Sequence, residues 1–390
     1  MNSELVVPRD LKVQLPSKQS AFLWGARQTG KTMFLRQHFP HSLRFDFLES
    51  DTFFDFSKHP ALLRERLLAE SDRKKLTAPI ILDEVQKVPA LLDEVHWLIE
   101  NKGFRFILCG SSARKLKRGH ANLLGGRAWR YELFPLTRHE LGKEFQLLNA
   151  LNHGLLPVHY RSPFYRKGLK AYIQNYLKEE IMAEGLSRNI PAFSRFLDIM
   201  AYGHGELTNF SNIARDCGVD SKTIREYYQI LEDTLVGYFV WPFSKRTGRD
   251  IINSAPKFYL FDVGVAGYLA NRVLLDCKGA EFGKAFEHFI LMELMAFRAY
   301  RERDFEIQYW RTKTGHEVDF VLDKGKIAIE IKGSVSVSNM ELKGLRAFQV
   351  DHKPQKSILV YQGSHHRKVD DIDVMPYEKF LDHLWEDKIL

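Results

Sequence analysis

The chain has 390 residues, 45% hydrophobic and 13% aromatic, enough for two or three domains with cores of their own. No run of about 18 apolar residues occurs, which argues against a membrane span, and the opening MNSELVVPRD lacks the charged-then-apolar layout of a signal peptide. The formal charge of +8 permits a polyanionic partner without requiring one, and Cys109, Cys217 and Cys277 lie too far apart for a metal motif. A reducing cytoplasm, with three small buried thiols, is the expected setting.

The first elements alternate strand-like and helical stretches up to about residue 135, the pattern of a parallel α/β sheet. Ala21-Phe22-Leu23-Trp24 is a short apolar strand, and G-x-x-x-x-G-K-T follows from Gly25 to Thr32. Glycines at this spacing turn the backbone tightly and bring its N–H groups to an anion. Lys31 reaches the β- and γ-phosphates, the Thr32 hydroxyl ligates Mg²⁺, and the helix from Lys31 to His38 points its positive end at the same place. PIILDEVQ (79–86) is a strand ending in two carboxylates, and FRFILCGSS (104–112) is a strand ending in hydroxyls. Parallel strands present ligand sites at their carboxyl ends, so these endings and the phosphate loop are expected to converge. Asp83 suits a Mg²⁺ ligand and Glu84 a water-polarising base; a plain helix cap also accounts for an Asp-Glu pair. Ser111 reads either as a γ-phosphate contact or as a cap. The binding set for ATP and Mg²⁺ is therefore Gly25, Gln28, Thr29, Gly30, Lys31, Thr32 and Asp83. Arg127, in LLGGRAWRYELFPLT (123–137), suits stabilisation of a transferring phosphoryl group across a subunit boundary, or is a solvated basic turn, with Arg130 the alternative for the role.

Residues 138 to about 190 read as mostly helical, interrupted around Pro157 and Pro163. From 194 to 240, LTNFSNIARDCGVDSKTIREYYQILEDTLV has a helix-turn-helix layout turning at Gly218. Ser221, Lys222, Thr223 and Arg225 stand at the front of its second helix, where groove-reading residues belong; such modules also pack against protein alone. FEHFILMELMAFRAY (286–300) is an apolar helix, and EVDFVLDKGKIAIEIKG (317–333) an alternating hairpin turning at Gly325. Pairing about that turn puts Val318, Phe320 and Leu322 against Ile331, Ile329 and Ile327 on one face. The other face then sets Glu317 opposite Lys332 and Asp319 opposite Glu330. Opposed carboxylates resist joint ionisation unless a cation lies between them, so Asp319 and Glu330 are candidate metal ligands, with Lys332 beside them and Glu287 completing the set. A half-exposed hairpin with a charged outer face gives the same alternation.

These motifs in this order (GARQTGKT, ILDEVQK, CGSSARKL, GGRAWRYELFPL, WRTKTGHEVDF and IEIK) resemble, over nearly the whole chain, a family of prokaryotic AAA+-type ATPases with a winged-helix unit and a C-terminal domain like the PD-(D/E)xK nucleases. The resemblance implies an α/β protein: a P-loop ATPase core (1–135), a helical lid (136–193), a winged-helix unit (194–255) and a restriction-endonuclease-like domain (256–390). It implies ATP hydrolysis with Asp83 and Glu84 as the Walker B pair, Ser111 as sensor 1, Arg127 as an arginine finger, and a homo-oligomeric ring, hexameric by expectation. It makes Glu287, Asp319, Glu330 and Lys332 a candidate nuclease site. The expected activity is ATP-driven work on duplex or branched DNA in replication, repair or recombination. The rival expectation is an ATP-controlled oligomeric switch whose C-terminal domain only docks.

Overall fold

The computed structural model describes residues 7–112, 124–177, 190–244 and 255–390. They fall into two compact units, one built on Arg9–Pro135 with Ile230–Val236, the other on Leu136–Gln229 and Gly237–Leu390.

In the first unit, strands β1 (Ser20–Trp24), β2 (Arg44–Asp46), β3 (Ile80–Asp83), β4 (Phe106–Gly110) and β5 (Ala128–Glu132) lie in the order β2-β3-β4-β1-β5, and every neighbouring pair is parallel. Successive residues such as Ile81 and Leu82 are both fully buried, so both faces of the sheet are covered, as a parallel sheet requires. Helices α1 (Lys31–His38), α2 (Ser50–Lys58), α3 (Leu62–Arg73) and α4 (Leu91–Lys102) alternate with the strands. Because the strands run the same way, the loops after β1, β3 and β4 share one edge. This is the parallel five-stranded sheet of a P-loop, AAA-like core.

The second unit opens with short helices: α5 (Arg138–Leu141), α6 (Leu147–His153), α7 (Pro157–Tyr160) and α8 (Tyr165–Ala171), the last running into a π-helical turn, Tyr172–Leu177. Pro157 starts α7 and does not merely interrupt a helix, because the first helical position needs no N–H donor. Helices α9 (Ile190–Tyr202), α10 (Phe210–Cys217) and α11 (Ser221–Asp233) follow, with the turn at Gly218 where the sequence places it. Phe196 packs edge-on to Tyr228 and against Tyr227, fixing α9 on α11.

Eight strands complete the unit: β6 (Gly237–Pro242), β7 (Lys257–Leu260), β8 (Ile307–Arg311), β9 (Glu317–Leu322), β10 (Ile327–Lys332), β11 (Lys356–Tyr361), β12 (Arg367–Val369) and β13 (Ile372–Pro376), in the order β12-β13-β11-β10-β9-β8-β6-β7. The pair β6–β7 is antiparallel, but β6 also pairs with β8, so these strands extend the C-terminal sheet. Helices α12 (Val263–Leu269), α13 (Gly279–Tyr300), α14 (Lys343–His352) and α15 (Tyr377–Trp385) accompany them. The hairpin has the expected register, Leu322 opposite Ile327 and Phe320 opposite Ile329. Its second face differs from the half-exposed alternative. Val321 and Ala328 on that face are as buried as Phe320 and Ile329, and both α13 and α14 pack on β10. Cys109 and Cys217 are buried, but Cys277 is half-exposed, since it precedes α13 in a surface segment.

Candidate functional site

In the first unit the polar strand ends meet as the sequence leads one to expect. Gly30 initiates α1 with φ 94°, left-handed backbone that a β-carbon would strain, and a β-carbon on Gly25 would lie 2.5 Å from the Leu133 carbonyl oxygen. Lys31 is buried and donates to the carbonyls of Gly25 at 2.8 Å and Ala26 at 3.0 Å. The Thr32 hydroxyl donates to Asp83 Oδ2 at 2.8 Å, so the two Mg²⁺ ligands expected from the sequence touch. Both are hard oxygen donors, which suits Mg²⁺. Neither carboxylate caps a helix: Asp83 Oδ1 accepts from the Glu84 amide at 3.1 Å, and Glu84 precedes the next turn without a side-chain cap bond. Glu84 and Gln28 hold positive φ, 58° and 65°, a backbone cost on the order of 1 kcal/mol each.

Two residues here escaped sequence reasoning. Gln86 donates from Nε2 both to Glu84 Oε2 and to Ser111 Oγ, the latter at 3.2 Å, and so links Glu84 to Ser111; its buried Oε1 has no hydrogen-bond partner. Arg9 donates to Thr29 O at 2.7 Å and to Phe134 O at 2.6 Å, tying the phosphate loop to the segment after β5. Gln86 stands two residues beyond Glu84, a local signal; nothing in the sequence near Arg9 announces its partners. Arg127 lies at the other end of the sheet. Ala128 pairs with Ser20 at the start of β1, whereas the phosphate loop follows Trp24 at its end. Arg127 is half-exposed and ion-paired with Glu100, and Arg130 is exposed on edge strand β5.

The second unit contains a cavity of about 560 Å³ lined by Glu287, Glu317, Asp319, Glu330, Lys257 and Lys332, among others. Asp319 and Glu330 are 7% and 6% exposed. Burial, reinforced by Glu330 and Glu287, holds the Asp319 carboxyl well above its usual range, and burial raises Glu330 to about 7. Asp319 Oδ2 accepts from the Ile331 amide at 2.8 Å, and Lys332 donates to Glu330 Oε1 at 2.6 Å. Lys332 is therefore held by its neighbour along β10, and Glu317, expected opposite it, is taken by Lys257 at 2.7 Å. Lys257 also lies 3.5 Å from Glu287. Burial pulls the Lys257 ammonium down, but Glu287, Asp319 and Glu317 outweigh it and keep it charged. The sequence reading missed Lys257, which is first in β7 and some 60 positions from the hairpin.

For a divalent cation the donors are mixed. The lining carries six carboxylates and four lysines, a formal charge of −2, and Glu330 Oε2 is buried without a partner, both of which suit Mg²⁺. Yet among the described residues no three His, Cys, Asp or Glu side chains converge as a ligand group. In the helix-turn-helix, Ser221 and Lys222 are exposed as expected. Thr223 is half-buried and donates its amide and hydroxyl to Asp220, just before α11, whereas Arg225 is exposed as expected, its guanidinium 4.2 Å from the centre of the Phe210 ring.

Comparison with known proteins decides the first unit. Residues 17–142 match the family model of an AAA domain. The AAA domain, with the Lys31, Thr32–Asp83 and Glu84–Gln86–Ser111 arrangement, supports nucleotide binding and ATP hydrolysis. Beyond it, residues 146–274 and 282–380 match two models, each described as a domain of unknown function (DUF8612 and DUF4143), and neither description names a winged helix or a nuclease. An uncharacterized protein of Mycobacterium tuberculosis is 27% identical over 319 residues, covering 78% of this chain and 70% of its own. Uncharacterized proteins of Methanocaldococcus jannaschii (23% identical, 96% of this chain and 91% of that one) and Haemophilus influenzae (20%, 90% and 91%) align beyond the AAA domain as well. Among the described residues no helix is long and apolar enough to cross a membrane.

Proposed function

We propose that this chain is an ATP hydrolase that spends nucleotide turnover on DNA in the cytoplasm, gripping or moving duplex or branched molecules during repair or recombination. The convergence of Lys31, the Thr32–Asp83 pair and the Glu84–Gln86–Ser111 chain at one sheet edge carries the ATPase part. The protein works as a homo-oligomeric ring, taken as hexameric, in which Arg127 serves the neighbouring subunit's nucleotide. The sheet geometry favours this, because Arg127 stands at the end of β1 remote from its own phosphate loop. In the second unit, Asp319 and Glu330 would hold Mg²⁺, with Glu287 and Lys332 beside it. A metal there would supply Lewis-acid stabilisation for phosphodiester cleavage. The surface at Ser221 and Lys222 would contact the duplex backbone.

A second reading has its own support. Lys257 and Lys332 already neutralise part of the carboxylate cluster, and among the described residues no third ligand is assembled. On that reading ATP controls assembly, and the C-terminal sheet is a docking module. Electrophoretic shifts with single-stranded, duplex, forked and four-way DNA, with and without ATP and Mg²⁺, separate the two. DNA binding that weakens steeply with salt, and DNA-stimulated ATP turnover, are expected on the first reading. Absence of both would leave the switch.

A further inference from the structure

Helix α8 and the described elements packed most closely on it carry no acids. Between Glu144 and Glu179 the sequence carries Arg161, Arg166, Lys167, Lys170 and Lys178 but no aspartate or glutamate. The elements packed most closely on α8, namely α6, α7, the π-helical turn and α12, contain none either. Asp262, just before α12, is buried, and its carboxylate accepts the amides of Leu155, Gly264 and Val265. Arg161, at the margin, pairs with Glu144.

Arg166 and Lys167 on α8 lie over rings, 5.5 Å from the centre of Tyr268 and 5.7 Å from that of Phe164, as Arg64 and Arg225 do over Trp97 and Phe210. Phe164 itself is 66% exposed. An exposed ring beside cations with no acid partner among the described residues matches the two needs of a single nucleic-acid strand. Its bases stack on the ring, and its phosphates follow the cations. A duplex conceals its base faces, so the ring would add nothing to duplex binding.

We propose that the α8 face binds single-stranded DNA, with Phe164 as the stacking platform and Arg166, Lys167 and Lys170 as phosphate contacts. This rests on the reading of the chain as a DNA-acting protein and gives a role to part of the 146–274 stretch.

The test is fluorescence anisotropy of the full chain with a labelled oligo-dT strand of about 20 nucleotides, longer than the ~4–16 nucleotides typical of single-strand folds, against a duplex of equal length. F164A should weaken single-strand binding roughly tenfold, with an unchanged salt slope and unchanged duplex binding. The R166Q/K167Q double variant should flatten the salt slope by about two phosphate contacts. Phe164, Arg166 and Lys167 are exposed, so an unchanged melting temperature is expected of both variants and shows that they are folded. Wild-type affinity for oligo-dT unmoved by either variant overturns the proposal and leaves the DNA reading standing, as does wild-type binding of duplex only. A loss in F164A equal on both DNAs also overturns the stacking role. Binding of neither DNA by the wild type overturns both the proposal and the DNA reading.

Discussion

Lys257 determines how the carboxylate cavity behaves. Its ammonium, buried between Glu317 and Glu287, lets several acids share a low-dielectric pocket. K257M would leave them uncompensated and should lower stability by about 3–5 kcal/mol, the cost of breaking a buried pair from one side; urea denaturation measures it. Glu330 makes the complementary point. Its folded carboxyl titrates near 7, above the ordinary 4.5. Below about pH 4.5 it is protonated both folded and unfolded, so wild type and E330Q should then be comparable. Between about pH 4.5 and 7 the unfolded carboxyl ionises while the folded one stays protonated, so the wild type loses stability that E330Q keeps, and above 7 the difference levels off. The melting temperature of E330Q should therefore gain on wild type between about pH 4.5 and 7 in chelator-treated protein. A constant difference would show that the carboxyl is not held protonated.

At the scale of elements, the parallel pairing of β5 with β1 matters most, because it separates Arg127 from its own phosphate loop. If Arg127 acts across a subunit boundary, R127A should bind ATP yet lose turnover. Mixing R127A with E84Q should recover some activity, since mixed interfaces include pairs with both groups intact. No recovery at any ratio, with subunit exchange verified, would exclude a shared site. The hairpin β9–β10 shows what alternation in a sequence does and does not reveal. Its register was legible because a one-residue slip would turn Phe320 and Ile329 out of the core. The burial of its charged face was not, because that depends on α14 and β7, which arrive from distant positions.

Across the whole molecule, what could be read from sequence was what is local in sequence. The phosphate loop, the Asp-Glu strand end and the helix-turn-helix each lie within a few tens of residues, and each has the expected form. The contacts by which Gln86 joins Glu84 to Ser111, Arg9 reaches Phe134 and Lys257 enters the acid cluster span up to 125 residues and exist only after folding. The central claim remains that the AAA domain hydrolyses ATP through Lys31 and Glu84, and one paired measurement tests it: nucleotide affinity and steady-state phosphate release for wild type, K31A and E84Q. K31A should bind ATP weakly, having lost the phosphate-bound charge. E84Q should bind as wild type does but release phosphate at least 100-fold more slowly, within the ~10²–10⁴ that a positioned base contributes. Wild-type turnover by E84Q would contradict the account.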